Sequence, residues 1–418
     1  MDSILLLGVP LSRYTIHCNL SHAAANAAAR RLREWLYTHC NADLVLSDST
    51  PAPDDACILI DPDPHAAYGE GALCANGGQV CIRGNDIVGL TEAAAYLTHC
   101  LVHGKATKTA LCYRTKLPER AGYVANAAAF APCYRHAHPA PHHPLTLAEK
   151  RQALRDPAGR LFVIAHRGEH VFYPENSLES ALSAWLCGAD AVEVDIQKSA
   201  DGVWMCMHDT DVTRTTNAAA LLGKDGYPHS PLLCDWTYAQ LRTLRLKDAC
   251  GTLTPFPIPT LEEIMRACDG RIFMHLDKPF TVAEDVFPYM EALGIYDCVY
   301  LVNHVGVNEI LRLKDHFADR GIRLESICRP RREMTLAKTL PVLLENLPHV
   351  TPALIPYGDY VGHTEEITAL IQTHKNQLRF GAWFLRDFDY EALWRKAHAE
   401  GISIFMTDHP LDLIALGL

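Results

Sequence analysis

The residues best suited to chemistry are two histidines that follow apolar, strand-like runs. His166 follows the run at 162–165, and His208 follows the run at 203–207. In-line displacement at phosphorus needs a base on one side and an acid opposite, and two imidazoles that face one another can supply both near neutral pH. The pattern therefore predicts acid–base catalysis by His166 and His208.

A pair of carboxylates predicts a metal site. Glu193 and Asp195 are two residues apart on an apolar run, so both side chains should face the same side of a strand. Like charges that converge in a low-dielectric setting repel, and a divalent cation removes that repulsion. Oxygen ligands favour Mg²⁺ or Ca²⁺ over zinc. The alternative is a salt bridge from these carboxylates to Lys278 or Arg167.

Two cations and one aromatic residue are candidates for substrate binding. Arg167 follows His166, and Lys278 lies just beyond the run at 272–276. A guanidinium can hold a phosphate oxygen bidentately, and an ammonium adds a point charge. Trp383 lies near the end of another run and could stack on a glycerol or sugar face, although a buried core tryptophan is the alternative.

The elements that must position these residues predict a TIM-type (β/α)8 barrel. Reactive groups in such a barrel come from the carboxyl ends of its strands, where the residues above fall. The predicted strands are 162–165, 191–196, 203–207, 272–276, 299–302, 324–328, 380–384 and 402–406, and a further run at 353–356 leaves the seventh strand open. Predicted helices are 177–187 with Ser177 as its cap, 261–268 with a capping box from Thr260 and Glu263, and 389–400.

The first 133 residues predict a small accessory α+β sandwich domain. Its predicted order is β-α-β-β-β-α, with strands at 13–18, 42–47, 57–60 and 78–83, and helices at 23–39, capped by Ser21, and 91–101. A linker is predicted at 134–150, because 134–144 contains four His and three Pro, and prolines favour an extended, semi-rigid chain. Metal binding by the His tract is the alternative. The barrel domain is predicted at 151–418.

Composition limits the partners and the compartment. With 38 Lys+Arg against 49 Asp+Glu, the net charge is −11, so nucleic acid is not expected as a partner. The apolar runs are too short for a transmembrane segment. The 15 cysteines include no CxxC pair and predict free thiols in a reducing compartment, which favours the cytoplasm. Export would need a signal removed before this numbering begins.

Several motifs resemble those of the glycerophosphodiester phosphodiesterases over roughly residues 161–418. The motifs are 165–168 (AHRG), 174–177 (PENS), 188–195 (GADAVEVD), 199–202 (SADG), 207–209 (MHD) and 214–216 (RTT), with 258–263 (IPTLEE) and 407–410 (TDHP) further on. The family is similar in fold to TIM-type barrels and to phosphatidylinositol-specific phospholipases C. The resemblance implies hydrolysis of a glycerophosphodiester substrate to an alcohol and glycerol 3-phosphate, with a divalent metal.

The resemblance also implies roles for individual residues. By residue match, these are acid and base for His166 and His208, metal ligation for Glu193 and Asp195, phosphate binding for Arg167 and Lys278, and orientation of a histidine or of the metal shell for Glu175. The attacking group could be water or the adjacent glycerol hydroxyl. An insertion in the family shapes alcohol selectivity, and the irregular segment 217–256 corresponds to it.

One motif departs from the family pattern. The family has Glu-x-Lys on its fourth strand, whereas this chain has Leu276 two residues before Lys278 and its acid at Asp277. On a regular strand Asp277 and Lys278 face opposite sides, so a bulge or the strand end would have to bring both into the site. We expect Asp277 to be the third metal-binding carboxylate. His275 shares its parity and is a weaker candidate.

Residues 1–105 weakly resemble the small non-catalytic domain that precedes the barrel in some hexosaminidases and alpha-glucuronidases. The resemblance depends on the Gly77-Gly78 turn and on Ile82, Gly84 and Gly89. It implies a structural role, or docking on the barrel or on a glycan. Two other functions remain open for the whole chain: a phospholipase C-like or D-like lyase acting on lipid phosphodiesters, and a non-catalytic barrel that binds a phosphorylated glycan.

Overall fold

The structure is a computed structural model and divides the chain into two compact units. The first comprises Met1–Pro141 with Ala249–Pro255, and the second comprises His142–Asp248 with Phe256–Leu418. The structure describes residues 4–102, 110–115, 145–277, 283–295, 298–303, 326–328, 340–341, 354–356, 365–384 and 386–418. Most of the predicted linker, at 134–144, lies outside these residues.

The first unit is built on a six-stranded mixed sheet with strand order β4-β3-β5-β7-β6-β8. Its inward-facing residues are aliphatic, such as Ile16, Ile58 and Val80, and are fully buried. The elements are β1 Leu5–Leu6, β2 Val9–Pro10, β3 Thr15–Cys18, α1 Ala23–Cys40, β4 Val45–Ser47, β5 Cys57–Pro62, β6 Gly71–Asn76, β7 Gln79–Gly84, α2 Ile87–Val102 and β8 Ala110–Thr115. This arrangement confirms the predicted α+β class.

This unit differs from prediction in several of its strands and in one helix cap. Strands β6 and β8 were missed, since β6 is rich in Gly and Ala, which have weak strand propensity, and it is stabilised by pairing with β7 and β8. Ser21 does not cap α1, because its hydroxyl donates to Asn19 Oδ1 at 2.6 Å. The cap is His22, whose Nδ1 accepts from the Ala25 backbone N–H at 3.3 Å.

The second unit is a TIM-type barrel with eight parallel strands in the order β15-β14-β13-β10-β9-β18-β17-β16. The strands are β9 Phe162–Ala165, β10 Ala191–Val194, β13 Phe273–Leu276, β14 Val299–Asn303, β15 Ser326–Cys328, β16 Leu354–Pro356, β17 Phe380–Trp383 and β18 Ile402–Thr407. The helices are α3 Leu147–Arg155, α4 Leu178–Cys187, α5 Tyr238–Leu241, α6 Leu261–Cys268, α7 Ala283–Leu293, α8 Glu365–His374, α9 Glu391–Ala399 and α10 Pro410–Ala415. The predicted barrel is therefore confirmed.

The prediction that 203–207 forms a barrel strand was wrong. The segment contains β12, Trp204–Cys206, which pairs antiparallel with β11, Ile196–Lys198, in a separate hairpin. A parallel neighbour needs a crossover of about a dozen residues or more, and the connection between β11 and β12 is far shorter. The run at 353–356, which the sequence left unassigned, contains the eighth barrel strand, β16.

Helix α3 covers the amino-terminal ends of the barrel strands. It begins inside the segment predicted as linker, with a capping box between Thr146 and Glu149. The buried Lys150 ammonium donates to the carbonyl of Ala189, just before β10, at 2.8 Å. Leu154 packs in one core cluster with barrel residues that include Phe162 and Phe273. The opposite, carboxyl ends of the strands carry the predicted site.

Helix caps inside this unit follow the sequence signals. Ser177 caps α4, and Thr260 forms a capping box with Glu263 at the start of α6, as predicted. Across the described residues, every helix is too short or too polar to cross a lipid bilayer.

Candidate active site

The predicted metal-binding carboxylates lie together because of strand register. Parallel pairing of β10 with β13 places Glu193 beside His275, and the Asp277 backbone N–H continues the ladder by donating to the Val194 carbonyl at 3.0 Å. Asp277 therefore lies next to Asp195, on the same face as Glu193, without a bulge. One carboxylate oxygen from each of the three lies within 4.8 Å of the others.

Burial strengthens the repulsion between the charged carboxylates of this cluster. Glu193 and Asp195 are only 3% and 5% exposed. Burial raises the pKa of Glu193 well above its usual value, and the nearby charges of Asp195 and Asp277 raise it further. A set of three converging carboxylate oxygens is the ligand chemistry of a hard divalent cation, which would offset this repulsion. The residues present thus fit the cation that the sequence predicts.

Asn176 holds the end of β10 in place and was missed as a site residue. Its amide donates to Asp195 Oδ2 at 3.0 Å, and its carbonyl oxygen accepts from the Asp195 backbone N–H at 3.0 Å. Asn176 has a left-handed backbone, with φ of 56°, which asparagine tolerates better than most residues. The PENS motif was a signal for this role, since its Asn lies between the predicted Glu175 and the helix cap Ser177.

His166 follows β9 and is oriented by a carboxylate from the far end of the barrel sequence. Its Nδ1 lies 2.6 Å from Asp408 Oδ1, and its Nε2 lies 4.0 Å from Glu193 Oε2. Burial alone would raise the pKa of Asp408, but the hydrogen bond and charge of His166 outweigh it and lower the pKa to about 2. Asp408 was missed as a site residue, although the 407–410 motif and its place at the end of β18 pointed to it.

Two further rings lie beside His166. The Trp383 ring centroid is 5.8 Å from that of His166, so the structure places this predicted substrate-binding residue next to the predicted catalytic one. Trp383 also packs against the barrel core. His170, which sequence reasoning missed, lies with Nδ1 2.9 Å from the His166 carbonyl oxygen. Burial lowers the pKa of His170, which keeps it neutral near pH 7.

His208 follows the β11–β12 hairpin rather than a barrel strand. Its Nδ1 lies 2.6 Å from Asp209 Oδ1, and its side chain is 37% exposed. The hydrogen bond from Arg214 lowers the pKa of Asp209 to about 2, with a further contribution from His208. Each predicted catalytic histidine thus has a carboxylate on Nδ1, which sequence reasoning did not identify in either case.

Arg214 connects the His208 side of the site to Glu175. Its guanidinium donates two hydrogen bonds to Glu175, at 2.9 and 2.7 Å, and one to Asp209. Glu175 in turn accepts from Arg167 at 3.2 Å. Burial raises the pKa of Glu175, but the two arginines outweigh it, so the net shift is downward. The 214–216 motif was the available signal for Arg214.

Arg167 is held among acidic groups. Its backbone N–H donates to Glu193 Oε2 at 2.9 Å, and its Nε lies 3.5 Å from Asp195 Oδ2. Arg167 and Gly168 both have positive φ, and a Cβ on Gly168 would lie 2.3 Å from Ser180 Oγ. Only glycine fits at position 168, so Gly168 lets the chain turn directly after Arg167.

Lys278 lies outside the described residues, so its predicted contact with phosphate stays a prediction. His275 is buried beside Glu193. The segment 217–256 is irregular as predicted, with α5 and short 3-10 turns as its helical elements. The structure therefore brings together His166, Arg167, Glu175, Glu193, Asp195, Asp277 and Trp383, and Arg214 joins His208 to this group.

Comparison with known proteins gives the same family as the sequence motifs. The sequence model of the "Glycerophosphoryl diester phosphodiesterase family" matches residues 166–402. The mouse "Glycerophosphodiester phosphodiesterase 1" is 40% identical over 123 residues, which is 28% of this chain and 34% of that protein. Its human counterpart is 36% identical over 115 residues, or 27% of this chain and 31% of that protein. The chain thus matches about a third of the length of these curated relatives.

A solved structure supports the fold. A glycerophosphoryl diester phosphodiesterase from Parabacteroides distasonis superposes with a TM-score of 0.50 at 19% identity and covers 66% of this chain and 92% of its own. The family match spans more than half of the 418 residues and includes both histidines and all three clustered carboxylates. The chain belongs to the glycerophosphoryl diester phosphodiesterase family.

Proposed function

We propose that this protein hydrolyses glycerophosphodiesters to an alcohol and glycerol 3-phosphate. The observation that carries the proposal is the pair of histidines, His166 and His208, each with Nδ1 on a carboxylate, in a site that also holds three clustered carboxylates. The family match and the names of the curated relatives support the same reaction.

Glu193, Asp195 and Asp277 would hold the divalent cation, with Mg²⁺ or Ca²⁺ as the cofactor. Such a cation, when bound, offsets negative charge on the phosphoryl oxygens. Asn176 contributes by fixing the Asp195 carboxylate and backbone with two hydrogen bonds. The Arg167 backbone N–H fixes Glu193 in the same way.

Each of the two histidines transfers protons to or from the reacting groups through its Nε2 atom. A carboxylate can only accept, so Asp408 and Asp209 place the proton of each neutral imidazole on Nδ1 and leave Nε2 for the substrate. One histidine removes a proton from the attacking oxygen, and the other donates a proton to the leaving alkoxide. The attacking oxygen belongs to water or to the adjacent glycerol hydroxyl.

Arg167 is the proposed phosphate-binding residue, together with Lys278. Glu175 orients the Arg167 guanidinium through a hydrogen bond at 3.2 Å. Trp383 offers an apolar face beside His166 for the carbon skeleton of glycerol.

A substrate screen tests the proposal. The full chain would be assayed with water-soluble glycerophosphodiesters and with lipid phosphodiesters, before and after removal of divalent cations by a chelator. We expect glycerol 3-phosphate to form from the water-soluble substrates, to stop with the chelator and to return when Mg²⁺ or Ca²⁺ is added. Turnover of lipid substrates alone would favour the lyase alternative, and no turnover would contradict the proposal.

The histidines can be tested in the same assay. His166→Ala and His208→Ala should each lower kcat by roughly 10²- to 10⁴-fold, the usual size of general acid–base catalysis. His398→Ala is the matched control, since His398 is exposed on α9 and distant in sequence from both. Full activity in a folded His166 or His208 variant would exclude the two-histidine mechanism.

A further inference from the structure

Three cysteines lie side by side across the sheet of the first unit. Cys74 on β6 is the register partner of Cys112 on β8 and of Cys81 on β7. Residues directly opposite one another in neighbouring strands project to the same face, so the three thiols form a row. Cys74 and Cys112 are exposed, and Cys81 is partly exposed.

The hairpin between β6 and β7 decides which two thiols are closer. Gly77 and Gly78 both have positive φ, of 60° and 89°, and form a two-residue turn flanked by Asn76 and Gln79. The residues that flank such a turn form a hydrogen-bonded pair, and the pairs then alternate along the ladder. Cys74 and Cys81, two positions further on, are again a hydrogen-bonded pair.

The Cys74–Cys112 pair is therefore a non-hydrogen-bonded pair. The N–H and C=O of one residue in a strand point to the same side, and Cys74 directs both towards β7. Its pairing with Cys112 on β8 is thus non-hydrogen-bonded, with Cα atoms about 4.5 Å apart instead of about 5.5 Å. Both separations lie within the range of about 4.4 to 6.8 Å between Cα atoms that a disulfide needs. The Cys74–Cys112 pair is favoured because the side chains of a non-hydrogen-bonded pair lie closer together.

Two arginines beside the row of cysteines affect the ionisation of the thiols. Arg114 lies two residues after Cys112, and Arg83 lies two residues after Cys81, so both share the face of the thiols and both are exposed. Burial, followed by the hydrogen bond and charge of Cys112, raises the pKa of Cys74, while Arg114 and Arg83 act in the opposite direction. The net shift disfavours the Cys74 thiolate that attacks a disulfide, and the two guanidinium groups offset part of that cost.

We propose that Cys74 and Cys112 form a reversible dithiol–disulfide site that reacts with small disulfides. The first protein thiolate attacks one sulfur of the small disulfide, and a small thiolate leaves. The second protein thiolate then attacks the protein sulfur of the mixed disulfide, and the second small thiolate leaves. Both protein thiols are oxidised, one small disulfide is reduced to two thiols, and these take up the two protons.

Treatment of the full chain with glutathione disulfide tests this proposal. Remaining thiols would be alkylated, and the digest would be analysed by mass spectrometry without reduction. We expect a cross-linked peptide pair that contains Cys74 and Cys112, a loss of two alkylatable thiols from that pair, and full reversal by dithiothreitol. Cys234, which is exposed in the second unit, is the internal control and should carry glutathione without a protein cross-link.

Two variants complete the test. Cys112→Ser should abolish the cross-link and leave a glutathione adduct on Cys74, whereas Cys81→Ser should leave the Cys74–Cys112 cross-link intact. A predominant Cys74–Cys81 cross-link in the unmodified chain would overturn the register argument. Glutathione adducts on both Cys74 and Cys112 without a cross-link would overturn the proposal itself.

Discussion

At the residue scale, Asp408 and Asp209 each contact Nδ1 of one of the two histidines, but their distances along the chain from that histidine differ greatly. Asp209 is adjacent to His208 in sequence, whereas Asp408 is 242 residues from His166. Each carboxylate fixes the orientation of its imidazole through the contact with Nδ1. Asp408 is itself held, because its backbone N–H donates to Asp389 Oδ2 at 2.6 Å.

Asp408→Asn should therefore impair catalysis without abolishing substrate binding. An asparagine amide can donate to Nδ1, which moves the imidazole proton to Nε2. Nε2 of His166 can then no longer take up a proton, which the catalytic cycle requires of either histidine. We expect kcat to fall by about 10²-fold or more, with KM little changed. The exposed Asp387→Asn is the control, and unchanged kcat in Asp408→Asn would show that the contact does not orient His166.

Asp277→Asn should weaken metal binding more than it disturbs folding. The substitution removes one of three carboxylates from the cluster and relieves part of the repulsion that raises the pKa of Glu193. We expect affinity for Mg²⁺ or Ca²⁺ to drop at least about tenfold by calorimetric titration, a loss of roughly 1.4 kcal/mol. The exposed Asp269→Asn should bind as the unmodified chain does. Equal affinity in Asp277→Asn would restrict the ligands to Glu193, Asp195 and a further group, with Glu175 the next candidate.

At the element scale, short connections determine which strands can pair. The β11–β12 hairpin carries His208 to the site because its turn is too short for a barrel crossover. The register of β10 with β13 places Asp277 beside Asp195. Helix α2 of the first unit shows a different constraint, because Glu92 faces the interior and is only 4% exposed.

Glu92 should make the first unit less stable as pH rises. Burial raises the pKa of Glu92 from 4.5 to about 9. The folded state then binds a proton that the unfolded state has lost, so stability falls as pH rises from about 4.5 towards 9. We expect Glu92→Gln to raise the free energy of unfolding by roughly 1 to 3 kcal/mol near pH 8 and much less near pH 5, as measured by denaturant titration. The exposed Glu34→Gln should show no such pH dependence, and equal effects of Glu92→Gln at both pH values would contradict the assignment.

At the scale of the whole molecule, the chain combines a six-stranded α+β unit with an eight-stranded barrel. The residues proposed for catalysis and metal binding all belong to the barrel unit. We propose that the first unit is accessory to the reaction.

Expression of residues 145–418 alone tests this division. The fragment begins before the capping box of α3 and contains every proposed site residue. We expect a folded protein whose kcat/KM for glycerophosphodiesters lies within about threefold of the full chain, since none of the proposed catalytic or metal-binding residues is removed. Circular dichroism would verify the fold. A folded but inactive fragment would show that the first unit completes the site.

The sequence by itself determined the barrel class, and it was enough to single out the two histidines and the carboxylate pair as candidate site residues. These features depend on local spacing, such as a histidine directly after an apolar run or Glu193 two residues before Asp195. Helix caps such as Ser177 and Thr260 were equally readable, because a cap involves residues only three positions apart.

Only the tertiary structure decided the long-range partners. The contact of Asp408 with His166 joins the last barrel strand to the first, and the alignment of Asp277 with Asp195 depends on strand register. The bridge from Arg214 to Glu175 spans 39 residues of chain. A hydrophobic pattern shows which residues enter a strand, but the register between strands is set by pairing across the whole sheet, and no local spacing encodes it.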